Sequence, residues 1–357
     1  MEVKKVKGGC LATTIGSLPH TDAGDAVELI LKYTPDIPAW PQLPKRSPNE
    51  GMVLQFTENM PGIERKDGRT YFDVTQSSFD DELIGFYSDY LAVTEGEEDG
   101  HLERFALSEK HAAGIYALLE IIPSLEIKPV MVKGQLTGPF TLGTSLTDQE
   151  GRCAYYNPQL RDVIVKYLAM NARWQVRKLS RISPALIFID EPGMSAFGSS
   201  AFVGVSEEDI LNDLGEIIEA IHSEGGSAGI HCCGNTDWSV LLKTGIDVLS
   251  FDAYEFFDRL TLYPDELREF LNRGGVLSWG IVPSLQPDML EVETLDSLIA
   301  KLEGQISRLE RIGLDADLIK RQSLITPSCG AGSLTEDLAE RALRLTFELS
   351  QALRKEL

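Results

Sequence analysis

Ser227-Ala-Gly-Ile-His231-Cys232-Cys233-Gly-Asn235 is a short apolar run that opens into a polar loop. Gly226 precedes it and Gly234 follows, so it reads as a buried strand whose carboxyl end enters a loop. Upstream, Ser206–Ser223 has helical periodicity and begins with a capping serine followed by acids. Ala185–Asp190 before it is again an apolar strand. Downstream come a helix over Thr236–Thr244 and a strand over Val248–Asp252. Strands that alternate with helices predict βαβ units and a parallel sheet.

The same alternation runs along almost the whole chain. Strands are expected near Ala12–Ser17, Asp36–Leu43, Pro129–Gly134, Ala185–Asp190, Ala228–His231, Val248–Asp252, Val276–Gly280 and Ser323–Thr326. Helices are expected at Asp22–Tyr33, Ser108–Ile122, Pro158–Arg181, Ser206–Ser223, Thr236–Thr244, Pro264–Asn272, Thr294–Ile312 and Thr335–Arg354. Eight strand–helix pairs predict an α/β fold, a single (β/α)8 TIM barrel over residues 1–357. The stretch from about 45 to 104 is long, acidic and irregular. It is expected to be an insertion after the second strand, a lid over the barrel mouth with a small helix at Asp80–Tyr90. There is no internal repeat or low-complexity linker.

The chain of 357 residues is 43% hydrophobic and 25% charged, the balance of a globular protein. Its charge is 33 − 55 = −22, which argues against a nucleic-acid or anionic-membrane surface. The first residues hold no continuous apolar core for a signal peptide. No run reaches the ~20 apolar residues of a membrane span. Five widely spaced cysteines fit reduced thiols better than a disulfide framework, so a cytoplasmic location is expected. Cys10 and Cys153 carry no motif and are read as structural.

On a strand, residues i and i+2 share a face. His231 and Cys233 therefore point together, and Cys232 points away. Ser323-Leu-Ile-Thr-Pro-Ser-Cys329-Gly-Ala-Gly is a second strand that ends in a glycine-rich loop with a cysteine. A lone cysteine is ordinarily a small buried hydrophobe. Three N/S donors at the ends of barrel strands are the set that catalytic Zn²⁺ uses with one position left open. Asp252, ending the next strand, can be a fourth ligand or a partner for His231; Glu255 and water compete for that place. Asp190 and Glu191 end their strand as adjacent carboxylates facing opposite ways, and Asp190 is a candidate to bind an ammonium or take a proton. Thr137 offers a hydroxyl after Lys133-Gly-Gln-Leu. The polar turn at Ile15, Gly16 and Ser17 can hold a carboxylate on its amides. There is no G-x-S-x-G elbow and no phosphate-binding G-x-x-x-x-G-K-[ST] loop.

Taken together, five segments resemble the catalytic barrel of cobalamin-independent methionine synthase, in the uroporphyrinogen decarboxylase-like superfamily. They are Thr13–Pro19 (TTIGSLP), Val132–Thr141 (VKGQLTGPFT), Ile187–Met194 (IFIDEPGM), Gly229–Asn235 (GIHCCGN) and Thr326–Gly332 (TPSCGAG), in the family's order. The resemblance implies zinc on His231, Cys233 and Cys329, with the family's glutamate ligand matched only approximately by Asp252. It implies a homocysteine carboxylate on Ile15–Ser17 and its amine on Asp190. Two departures stand out. The family's histidine after the strand Ser278–Ser284 is absent, and its second amine-binding glutamate has no clear counterpart around Lys45–Met52. A single barrel resembles the short "core" enzymes, which implies a methylated corrinoid protein as donor.

The expectation is a zinc-dependent methyltransferase acting on a small-molecule thiol, with homocysteine to methionine as the first reading. The alternatives are transfer to another thiol such as coenzyme M, a uroporphyrinogen-decarboxylase-like enzyme, and a non-catalytic zinc-binding module. The acidic run Glu95–Asp99 is a candidate to shape docking of a corrinoid protein.

Overall fold

A computed structural model of the chain describes residues 6–96 and 100–355; three of the acidic residues of the Glu95–Asp99 run, 97–99, lie outside them. Nine strands are present among these residues: β1 (Leu11–Ala12), β2 (Ile63–Lys66), β3 (Arg69–Phe72), β4 (Val132–Thr137), β5 (Ala185–Asp190), β6 (Ser227–Cys232), β7 (Val248–Phe251), β8 (Val276–Val282) and β9 (Ser323–Pro327). Seven of them form one curled parallel sheet in the order β1-β9-β8-β7-β6-β5-β4. The architecture is TIM-barrel-like, with helices outside the sheet.

The segment expected as the second strand, Asp36–Leu43, forms no regular strand. Pro38 and Pro41 each remove a ladder donor, so pairing survives only in pieces. Ala39 bridges to Lys133, and Gln42 bridges to Ser17. Val130 and Met131 donate to Asp36 O, and Thr13 Oγ1 donates to Ile37 O. The segment thus links β1 to β4, the two edges of the sheet.

Two other boundaries differ from expectation. β1 is only two residues long, and Thr13–Ser17 continues as irregular backbone. β4 lies three residues later than the sequence suggests, because the polar Gln135 and Thr137 belong to it, turned into the sheet's concave side beside Lys133. Elsewhere the helices sit within a few residues of their predicted spans: Glu207–Ser223 opens with a capping box at Ser206, and Pro158–Leu179 is capped by Asn157 with proline in its first turn.

Residues 45–104 contain the short hairpin β2–β3 and the helix Phe79–Glu95. Asp67 and Gly68 both have positive φ at the hairpin turn, the Asp-Gly signature of a two-residue loop.

Two apolar clusters hold the fold. The larger fills the space between sheet and helices. The smaller, with Leu11, Ile15, Ile37, Met131, Leu186, Phe188, Val248, Val276 and Leu324, fills the concave side of the sheet. Alternation along each strand separates these two faces. No helix among the described residues is long and apolar enough to cross a membrane.

Candidate metal and substrate site

Strand register lays one polar row across the carboxyl ends of the sheet. Thr137 pairs with Asp190, Asp190 with His231, His231 with Ser250, and Ser250 with Ser278. Below this row the concave side is apolar, apart from Lys133 and Gln135.

His231, Cys233 and Cys329 each offer a ligand atom, and these atoms lie within 4.8 Å of one another. The Ser250 hydroxyl meets His231 Nδ1 at 3.0 Å. His231 Nε2 is buried without a hydrogen-bond partner. A buried ring nitrogen costs free energy unless something satisfies it. An orphaned imidazole nitrogen beside two thiols fits a metal ion of the borderline-soft kind. The thiols of Cys233 and Cys329 lie side by side, within 4.8 Å of each other. The neighbouring Cys329 thiol, with His231 beside it, draws Cys233 well below the ordinary thiol range, while Cys233 and burial push Cys329 above it. Cys232 faces the opposite way, into the layer between sheet and helices, with its thiol on Gly234 O and burial raising it to about 12.

Asp252 stands outside the group of three. Its Oδ1 accepts the Glu255 amide at 2.9 Å, while Oδ2 is buried with no partner. Burial pushes its carboxyl up to about 7. Glu255 is exposed and lines a different hollow with Tyr254 and Lys301.

Asp190 and Glu191 diverge as strand geometry requires. Asp190 turns inward, and its Oδ1 is buried and unpartnered. Burial raises it to about 6 against the pull of His231 and Lys133. Glu191 turns outward and accepts from the Phe140 and Thr141 amides and the Thr141 hydroxyl. It caps the helix Pro139–Ser145, a structural task.

A cavity of about 280 Å³ opens above these groups, near the lower end of the ~300–1,000 Å³ typical of small-molecule sites. Asp190, His231, Cys233 and Cys329 line it together with Ile15, Ser17, Gln42, Pro44, Glu50 and Met52. Among the described residues its lining holds two carboxylates and no lysine or arginine.

Glu50 is the residue that sequence reasoning missed. It sits on a single 3-10 turn capped by Ser47. Its carboxylate accepts from the Leu43 amide and from Arg46, yet it faces the cavity. Burial raises its pKa, with Arg46 opposing. The turn is short and irregular, so no periodicity marks it.

The Ile15–Ser17 turn is tied down from below. Buried Lys133 donates to Ile15 O at 2.6 Å and lies 4.4 Å over the Phe188 ring. Burial lowers its ammonium to about 7. Gly16 has φ of 150°, and a side chain there would strike Gln135 and Gln42. Ser17 Oγ accepts from the Gly332 amide, and Ser17 O accepts from the Ala331 amide. Thr137 does not line the cavity; its hydroxyl donates to Met52 O at 2.6 Å, fixing the segment that does.

No protein-family model matches the chain, and no curated protein matches it. Among solved structures it is similar to a B12-independent methionine synthase from Shewanella sp. W3-18-1, solved in complex with selenomethionine. That pair shares 16% identity and a TM-score of 0.57, over 97% of this chain and 98% of the other. A GH20 catalytic module of a pneumococcal exo-beta-D-N-acetylglucosaminidase aligns at 10% identity and TM-score 0.48, over 96% and 84% of the two chains. At 16% identity the likeness to the methionine synthase structure is one of fold, over nearly the whole chain.

Proposed function

We propose that this protein is a zinc-dependent methyltransferase that methylates the sulfur of a small amino-acid thiol, with homocysteine to methionine as the reaction. The observation that carries the reading is the convergence of His231, Cys233 and Cys329 within 4.8 Å, with His231 Nε2 unsatisfied, on a cavity that also exposes Asp190. The three side chains would hold the ion, with Asp252 Oδ2 as the nearby candidate for a further ligand. Zinc, when bound, supplies a Lewis acid that lets a thiol with an ordinary pKa near ~8.5 act as a thiolate at neutral pH.

The chain's own residues do the rest. Asp190 Oδ1 accepts a hydrogen bond from the substrate ammonium, and Glu50 adds negative charge on the same cavity. The amides of the Ile15–Ser17 turn receive the carboxylate. Pro44, Met52 and Pro192 line the walls and limit water. In the overall reaction the S–CH₃ bond forms as the donor's bond to methyl breaks, and the thiol proton leaves to solvent.

The acidic lining disfavours the alternatives. A uroporphyrinogen-like tetracarboxylate needs cationic clamps, and a sulfonate thiol such as coenzyme M offers no ammonium for Asp190. A methylated corrinoid is the proposed donor. His231 is the sole histidine lining the cavity, so no imidazole is left to protonate a folate leaving group, whereas a cobalt-bound methyl leaves without one. The partner would be a corrinoid protein meeting the cavity mouth.

The test is metal content followed by methyl transfer. Purified, chelator-free protein is expected to carry one zinc. It should methylate homocysteine from methylcobalamin faster than from methyltetrahydrofolate. Protein that neither retains nor takes up zinc would overturn the reading; efficient turnover with the folate would overturn the donor.

A further inference from the structure

Ser284 follows β8 by two residues and is fully buried. Its hydroxyl does two things at once to one residue. It donates to Cys329 O at 2.8 Å and accepts from the Cys329 amide at 2.9 Å. Its own amide donates to Ser328 Oγ at 3.1 Å. The Ser328 amide in turn donates to Val282 O at 2.8 Å. The β8–β9 ladder shifts register between Gly280 and Val282, and β9 ends at Pro327. The Ser328 amide makes the last backbone bond to β8; at Cys329 the Ser284 hydroxyl stands in for a ladder partner.

This clamp falls on the residue that most needs one. Cys329 is followed by Gly330, Ala331 and Gly332, a sequence with little rotational restraint of its own. His231 belongs to β6 and Cys233 follows that strand by one residue; Cys329 stands two residues past the end of β9. With both backbone groups of Cys329 fixed, the direction of its Cα–Cβ bond is fixed, and with it the region its sulfur can reach. Ligands are held in productive geometry by the groups behind them.

We infer that Ser284 is a positioning residue that holds the Cys329 sulfur in register with His231 and Cys233 for metal binding; this rests on the metal reading proposed above. The hydroxyl acts through the main chain of Cys329 and touches neither metal nor substrate.

The test compares Ser284→Ala, and the isosteric pair Ser284→Thr and Ser284→Val, with the unaltered full chain. Zinc affinity is read by competition with a chromophoric chelator. The sulfur-to-cobalt charge-transfer band of the Co²⁺-loaded protein is read beside it, together with melting of the metal-free protein. Ala and Val are expected to bind zinc ~10–100-fold more weakly, the usual effect of an outer-shell change, with a weakened cobalt band; Thr is expected to restore both. Wild-type affinity and spectrum in Ala and Val would overturn the inference and leave the metal reading standing. Thr behaving like Val would also overturn it, because packing and not the hydroxyl would then matter. If Ala and Val fail to fold while Thr folds, the serine serves the fold and the positioning role is lost. An unaltered chain that binds no zinc would remove both readings together.

Discussion

Two hollows of this molecule invite comparison. The larger, about 460 Å³, lies among Tyr155, Arg161, Asp162, Asp209, Asp213 and Glu216 on the outer helices. The smaller, about 280 Å³, lies over the carboxyl ends of the sheet. In the outer hollow the charges answer one another. Arg161 donates to both Asp213 oxygens and to Asp209, and Tyr155 donates to Asp213. In the inner one, His231 Nε2 and Asp190 Oδ1 have no partner, and neither has Asp252 Oδ2 beside them. Volume ranks the two one way and unsatisfied valence ranks them the other. Buried polar atoms are normally paired, so orphans clustered on one cavity point to something that binds there.

The contrast breaks most sharply if a ligand set is removed. Cys233→Ser or Cys329→Ser is expected to lower zinc affinity by more than the ~10–100-fold of outer-shell changes, with melting of the metal-free protein nearly unchanged. Equal zinc content in these variants, measured by elemental analysis, would place the metal elsewhere. The outer hollow should answer in the opposite currency. Asp213→Ala leaves the Arg161 guanidinium and the Tyr155 hydroxyl short of an acceptor, and about 1.5–3 kcal/mol of stability should be lost. Denaturant unfolding reads that loss, while zinc content should not change.

A finer cut separates binding from metal within the inner site. Asp190→Asn keeps shape and loses charge, and should weaken acceptor binding by about 1.5–3 kcal/mol with zinc retained. Unaltered acceptor affinity by calorimetry would remove Asp190 from the site. A pH-dependent effect concerns its neighbour. Burial raises Glu191 to about 7, above its unfolded value. The folded chain therefore holds a proton between about pH 4.5 and 7 that the unfolded chain has released, and stability falls as pH rises through that window. Glu191→Gln should flatten that fall; an unchanged slope in pH-dependent unfolding would show that the cap is ionised throughout.

Much of this arrangement was legible in the sequence, for reasons that can be stated residue by residue. β5, β6, β7 and β9 are apolar runs with turn residues at both ends, so their limits and phase could be read. That phase alone sent Cys232 away from His231 and Cys233. The Asp36–Leu43 segment misled because its apolar residues suit a strand, while its prolines deny it a ladder. β4 was ended too early, at Gly134, because Gln135 and Thr137 look like loop residues, and only the concave side of a curled sheet explains them. Glu50 stayed hidden on a turn held by a serine cap. The β2–β3 hairpin was within reach, since Asp67-Gly68 is a strong turn signal. The neighbourhood of Asp252 could be placed from sequence, but not which of its oxygens is free.

The bonds between Ser17 and the Ala331–Gly332 loop carry a consequence for timing. Ser17 and Gly332 are 315 positions apart, as are, nearly, the partners in β1 and β9. Loop closure on that scale is slow, and such contacts form late. The inner cavity therefore has no early precursor: a chain emerging from the ribosome carries His231 and Cys233 for almost a hundred residues before Cys329 exists. Only when the last strand docks beside the first are the turn at Ile15–Ser17 and the third sulfur brought to the same place. Site maturation and closure of the sheet are one kinetic event, and a probe of either reports on both.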